Sequence, residues 1–85
     1  MPSREISTLA ALRRRCRISQ EELGDLVGRL QPDISMYENG LNMPDLTADA
    51  ILVELLALDA SLTWVEASDL QKPWSEVLMR GASTR

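Results

Sequence analysis

Ile18-Ser19-Gln20-Glu21-Glu22-Leu23-Gly24-Asp25-Leu26-Val27-Gly28-Arg29-Leu30-Gln31-Pro32-Asp33-Ile34-Ser35-Met36-Tyr37-Glu38-Asn39-Gly40 is the stretch that decides the fold. Ser19-Gln20-Glu21-Glu22 reads as a capping box: the Ser19 hydroxyl accepts from the Glu22 backbone N–H, and the Glu22 carboxylate reaches back to Ser19. Leu23, Leu26 and Val27 are expected to form the inward face of that helix. Gly28 ends it, because glycine tolerates φ > 0 at little cost. Pro32 then stands near a first helical position with Asp33 in the first turn, and both suit a helix start. Ile34 and Tyr37 share one face, while Pro32, Ser35, Met36 and Asn39 lie opposite with Gln31 and Asp33 flanking. Asn39-Gly40 is a stop signal. The pattern predicts two short helices, about 19–27 and 31–39, joined by a tight turn.

Upstream, Ile6, Leu9, Leu12 and Cys16 form a helical stripe that leaves most of Arg13, Arg14, Arg15 and Arg17 facing outward. Downstream, Pro44-Asp45 opens a fourth helix that runs to about Leu58. Leu46, Ala50, Val53 and Ala57 make one stripe on it, yet Ile51, Leu52, Leu55 and Leu56 are apolar as well. So wide an apolar surface is expected to meet more than one partner surface. Ser61 is expected to cap a short fifth helix with Leu62, Trp64 and Val65. Lys72-Pro73 then breaks the chain before a last turn or two at Trp74, Val77, Leu78 and Met79. The expected fold is all-α: five helices over residues 1–67, with residues 68–85 as a short C-terminal extension.

Composition narrows the chemistry. The 85 residues make one small domain, and with no Phe the core must be filled largely by aliphatic side chains. Cys16 is alone and there is no His, which excludes an intrachain disulfide and a Cys/His zinc site. No cofactor or metal is expected. Nucleophile–base pairs would have to be built on Ser and the one lysine, Lys72, so an enzyme is not expected. No N-terminal signal peptide is recognisable. The apolar-rich run Ala50 to Leu58 contains Glu54 and is too short to span a bilayer, so a cytoplasmic protein without membrane contact is expected. Net charge is −4, but residues 1–40 hold six basic and six acidic side chains, whereas residues 41–85 hold three and seven. The N-terminal half is therefore free to present a local positive face.

Two short helices with polar residues near the start of the second suit reading of the DNA major groove. The residues Ile18-Ser19-Gln20-Glu21-Glu22-Leu23, then Gly28, then Ile34-Ser35-Met36-Tyr37-Glu38-Asn39-Gly40, resemble the lambda-repressor-like (Cro/cI, XRE) helix-turn-helix pattern. Pro44 and Leu46 continue it, and the resemblance covers about residues 6–67. It implies a sequence-specific DNA-binding repressor. Gln31, Pro32, Asp33, Ser35 and Met36 would face the bases, Gln31 pairing with adenine, Asp33 with a cytosine amino group, and Pro32 and Met36 offering apolar contact. Ser19, Gln20 and Asn39 would contact the DNA backbone, with Arg29 in the turn as a further phosphate contact. Arg13 and Glu38 would brace the first helix against the third.

The implied partners are double-stranded DNA and a second copy of the chain. Leu58, Leu62, Trp64, Val65 and Trp74 are the residues expected at a dimer seam, because a domain this small has more apolar surface there than one core needs. The operator would be an inverted repeat, as in phage or plasmid regulators. Two other readings remain: an antitoxin that also caps a toxin with its acidic C-terminal half, or a protein-interaction module that has lost DNA binding.

Overall fold

The computed structural model describes residues 5–83. Five α-helices follow in order: α1 Thr8–Arg15, α2 Gln20–Val27, α3 Gln31–Glu38, α4 Asp45–Leu58 and α5 Trp74–Ser83. Two 3₁₀ turns, Ala60–Trp64 and Ala67–Asp69, connect α4 to α5. No strand occurs among the described residues, and the all-α expectation holds. An isolated antiparallel bridge joins Ser7 to Pro73.

Each of the first three helices starts and stops where its local chemistry dictates. Ser7 caps α1, its Oγ accepting from the Ala10 N–H at 3.2 Å. At the other end Arg17 takes a left-handed backbone with φ 61°. Its N–H donates to the Arg14 carbonyl and that of Ile18 to Arg13, the pair of reversed bonds that closes a helix in a Schellman motif. The capping box of α2 forms as expected: Glu22 N–H donates to Ser19 Oγ at 3.0 Å, and Ser19 N–H to Glu22 Oε1 at 2.9 Å. Gly28 ends α2 at φ 70°. Leu30 is the N-cap of α3 and Pro32 stands within its first turn.

The core is aliphatic. Leu9 and Leu12 of α1, Leu23 of α2, Ile34 of α3 and Ile51 and Leu55 of α4 are all fully buried. Each such side chain stabilises the fold by about 1.5–3 kcal/mol relative to exposure. Tyr37 is buried beside them, and Cys16 packs half-buried against the cluster. Burial pushes the Cys16 thiol above its ordinary value, with a smaller contribution from the nearby Asp59 carboxylate, which disfavours the thiolate.

Three sequence expectations are corrected, and the side of α4 that faces the core becomes known. Leu26 is 48% exposed; the inward position beside Leu23 belongs to Gly24, which is buried. A Cβ on Gly24 would stand 2.5 Å from the Arg29 carbonyl oxygen, so the tight turn after α2 requires a residue without one. On α4 the stripe Leu46, Ala50, Val53, Ala57 points to solvent, and the buried face is Thr47, Ala48, Ile51 and Leu55. Because the helix is apolar almost all round, its sequence carries little phase information. The segment expected as a fifth α-helix is the 3₁₀ turn Ala60–Trp64. Its cap is Asp59, whose Oδ1 accepts from both the N–H and the hydroxyl of Ser61.

The segment after residue 67 is part of the same packed unit. Leu70 and Val77 are fully buried, and Leu70 belongs to the main core. Backbone bonds run from Thr8 N–H to the Lys72 carbonyl (2.9 Å), from Leu9 N–H to Leu70 (2.7 Å) and from Trp74 N–H to Ile6 (2.9 Å). The fully buried carboxylate of Asp69 accepts from both Nη atoms of Arg80, from Lys72 Nζ and from the Glu66 backbone N–H. The Arg80 guanidinium holds the Asp69 carboxyl far below the usual carboxylate range, against the opposing effect of burial. Gly81 lies against Trp64, where a Cβ would meet the indole at 2.5 Å. Trp64 in turn faces Trp74 with ring centroids 6.3 Å apart.

Candidate nucleic-acid interface

The second helix of the motif, α3, divides into a buried and an open side. Ile34 and Tyr37 enter the core. Gln31, Pro32, Met36 and Asn39 are exposed, with Asp33 and Ser35 half-exposed between them. The five residues expected to read bases are therefore all at the surface, on a single eight-residue helix. A bare helix of this kind fits a groove about 12 Å wide.

Behind that surface runs a chain of side-chain hydrogen bonds that fixes the angle of α3. Arg13 Nε donates to Glu38 Oε2 at 2.5 Å and Nη2 to Oε1 at 3.2 Å, while Nη1 donates to the Ile18 carbonyl at 2.9 Å. Both side chains are about nine-tenths buried. Glu38 Oε1 also accepts from Gln20 Nε2 at 2.9 Å, and Gln20 Oε1 accepts from Gln31 Nε2 at 2.6 Å. The expected brace between α1 and α3 is thus one end of a four-residue relay, Arg13–Glu38–Gln20–Gln31, that ties together the first three helices. Gln31 keeps its Oε1 and one amide N–H for an outside partner, the acceptor–donor pair that adenine N6 and N7 require.

The residues expected at the DNA backbone are placed less uniformly. Ser19 and Gln20 stand at the N-terminus of α2. Its exposed backbone N–H groups and helix dipole favour an anion there, although Glu21 and Glu22 share that first turn. Gln20 and Asn39 line a shallow hollow of about 290 Å³ together with Arg14, Glu38 and the start of α1. Asn39 Nδ2 donates to the Ser35 carbonyl at 2.7 Å. Arg29 turns toward α4, where Nη2 donates to Thr47 Oγ1 at 2.9 Å. Arg15 faces Asp59 at 3.4 Å.

Gln71 is a positioning residue that sequence reasoning missed. Its Nε2 donates to the carbonyls of Tyr37 (3.1 Å) and Leu41 (2.5 Å), and its Oε1 accepts from the Met43 N–H at 3.1 Å. It thereby clamps the end of α3 and the loop leading to α4. Nothing local marks it, since its three partners lie 28 to 34 residues away.

The residues expected at a dimer seam are mostly spent inside the monomer. Leu62 and Val65 are 1% and 4% exposed, and Trp64 and Trp74 pack half-buried against the core. Leu58 alone of the five is open, at 50%.

Among the described residues no cluster of His, Cys, Asp or Glu is arranged to hold a metal ion, and no helix is long and apolar enough to cross a membrane. A family model described as a helix-turn-helix domain matches residues 7–67. Neither the curated proteins nor the solved structures contain a match to the chain.

Proposed function

Since this chain belongs to the helix-turn-helix domain family, a DNA-binding regulator, we propose that it is a sequence-specific repressor that covers an inverted-repeat operator as a homodimer. The observation that carries this reading is the split of α3: Ile34 and Tyr37 anchor it, and Gln31, Pro32 and Met36 stand open on a helix held by the Arg13–Glu38–Gln20–Gln31 relay. Gln31 reads an adenine. Pro32 and Met36 contact thymine methyl groups, and Asp33 and Ser35 meet the neighbouring base edges. Ser19, Gln20 and Asn39 hold the phosphates, while Arg29, expected there from the sequence, stays on Thr47 of α4.

Two copies place their recognition helices roughly 34 Å apart, one turn of the duplex, which selects an operator with two-fold symmetry. Repression follows from occupancy: the bound dimer, in the cytoplasm on the nucleoid, denies polymerase the promoter.

The test is selection of duplexes from a random pool, followed by binding of the enriched sequence across a salt series. The expected result is an enriched inverted repeat and a log K that falls linearly with log salt, with a slope of about −0.9 for each phosphate contacted. No enrichment, together with no saturable binding to any duplex, overturns the proposal.

A further inference from the structure

Helix α4 has two apolar faces, and only one is used. Thr47, Ala48, Ile51 and Leu55 bury inward. Leu46, Ala50, Val53 and Ala57 point away from the core, Leu46 being 84% and Val53 61% exposed. Their spacing of four, three and four residues is that of the d and a positions of a heptad, the pattern that seats one helix along another. The helix is about 21 Å long at 1.5 Å per residue, enough for a seam of three to four layers.

We propose that this stripe is the seam between two copies of the chain, with the two α4 helices packed antiparallel about a two-fold axis that passes between Ala50 and Val53. The proposal rests on the homodimer reading above and gives it a surface. Two features of the helix select this arrangement over the alternatives.

The first is size. An antiparallel pairing about that axis sets Leu46 against Ala57 of the partner subunit, and Ala50 against Val53 of the partner subunit. Every layer then joins a larger side chain to a smaller one, which fills the seam evenly and lets the backbones approach. A parallel pairing would set Leu46 on the partner's Leu46 and alanine on alanine, leaving the layers uneven.

The second is charge. In an antiparallel pair each flank of the seam meets the same flank of the other helix. Thr47 and Glu54 share one flank, Asp49 and Leu56 the other. Glu54 therefore comes alongside the partner's Arg29, an exposed side chain that covers the buried Thr47 of its own chain with Nη2 2.9 Å from the hydroxyl. Asp49 faces the partner's Leu56. A parallel pair would instead bring Glu54 against the partner's Asp49, carboxylate on carboxylate. α4 carries no basic residue of its own, so the cation must come from the turn before α3, where Arg29 already reaches α4.

Cysteine cross-linking of the full chain tests both the surface and the direction. In a Cys16→Ser background, Leu46→Cys and Ala57→Cys lie roughly 16 Å apart along one helix and cannot join within a chain. The double variant is expected to form a covalent dimer under mild oxidation, and each single variant to remain monomeric on a non-reducing gel. Cross-linking of the single variants would indicate a parallel seam and overturn the proposal, and so would failure of the double variant to cross-link.

Sedimentation gives the independent measure. Val53→Glu changes an exposed side chain, so its helical circular dichroism should match the wild type while its dimer dissociation constant rises at least about tenfold. Wild-type and variant chains that associate equally would also refute the seam. The function reading fails separately: a chain that dimerises through α4 and binds no duplex sinks the repressor proposal and leaves this one standing. A chain that binds duplex DNA but is insensitive to Val53→Glu does the reverse.

Discussion

The guanidinium of Arg13 grips the carboxylate of Glu38 with two bonds, across 25 residues of chain and in a site that leaves both side chains about a tenth exposed or less. Such a pair is worth little as a net gain over apolar packing, but its removal from one side strands a charge. Arg13→Ala is expected to cost about 3–5 kcal/mol in urea unfolding. Arg13→Ala combined with Glu38→Ala should cost clearly less than the sum of the two single changes, and strict additivity would show that the pair is not coupled.

Gln31→Ala should relax specificity at one base pair per half-site at a cost of about 1–3 kcal/mol there, with the other positions retained. Gln20→Ala removes both a phosphate contact and the acceptor that steers Gln31, so it should weaken binding to every sequence alike and blur the same base pair more weakly. Competition binding against a panel of single-base operator variants measures both. A uniform loss over the whole panel would place Gln31 on the phosphates instead.

Gly24→Ala reverses the usual helix rule. Alanine in a helix interior is ordinarily favoured over glycine by about 1 kcal/mol. Here the added methyl would stand 2.5 Å from the Arg29 carbonyl oxygen, so the turn between α2 and α3 must shift. A net destabilisation of about 1–3 kcal/mol is expected in thermal or urea unfolding. A stabilised variant would mean that the turn has slack.

Arg17→Gly should act in the opposite sense. The left-handed backbone at Arg17 costs an L-residue about 1–2 kcal/mol, and glycine removes that cost while losing some unfolded-state restriction. A gain of about 0.5–1 kcal/mol in unfolding free energy is the expected balance. No gain, or a loss, would show that the Arg17 side chain contributes contacts of its own.

Acid should loosen the C-terminal latch. Asp69 is held far below its ordinary carboxyl value by Arg80, so its contribution is complete above the unfolded-chain value of about 3.9 and is lost as pH falls below it. Asp59, lowered by its bonds from Ser61, works in the same direction. The wild-type melting midpoint should hold between neutral pH and about pH 5 and drop below about pH 4. Asp69→Asn should melt lower at neutral pH and show a shallower acid decline, the two curves converging. Curves that stay parallel would remove Asp69 from the account.

The first three helices were legible because their signals are local. Ser19 and Glu22 are one turn apart, and Gly28 and Pro32 act through their own backbone angles. Ile34 and Tyr37 sit on a helix whose other side is polar enough to reveal the phase. The misreadings have physical causes of the same kind. Gly24 has no side chain to register as buried, so the apolar pattern points to Leu26 in its place. α4 is apolar nearly all round, so its sequence shows a stripe without showing which side faces the core. At the interface, the positions of Gln31 and Met36 could be anticipated, but the clamp by Gln71 could not. A glutamine in a polar stretch looks like any solvated residue until the fold brings three backbone groups to it.

The bonds that join Ile6, Thr8 and Leu9 to Leu70, Lys72 and Trp74 fasten the beginning of the fold to a stretch made more than sixty residues later. Loop closure of that span must be met before α1 is seated on its final neighbours. A nascent chain still attached to the ribosome through this stretch has synthesised the whole helix-turn-helix but has not closed the ring that steadies it. A translation product that stops before this stretch should therefore leave the helix-turn-helix unsteadied and open to proteases.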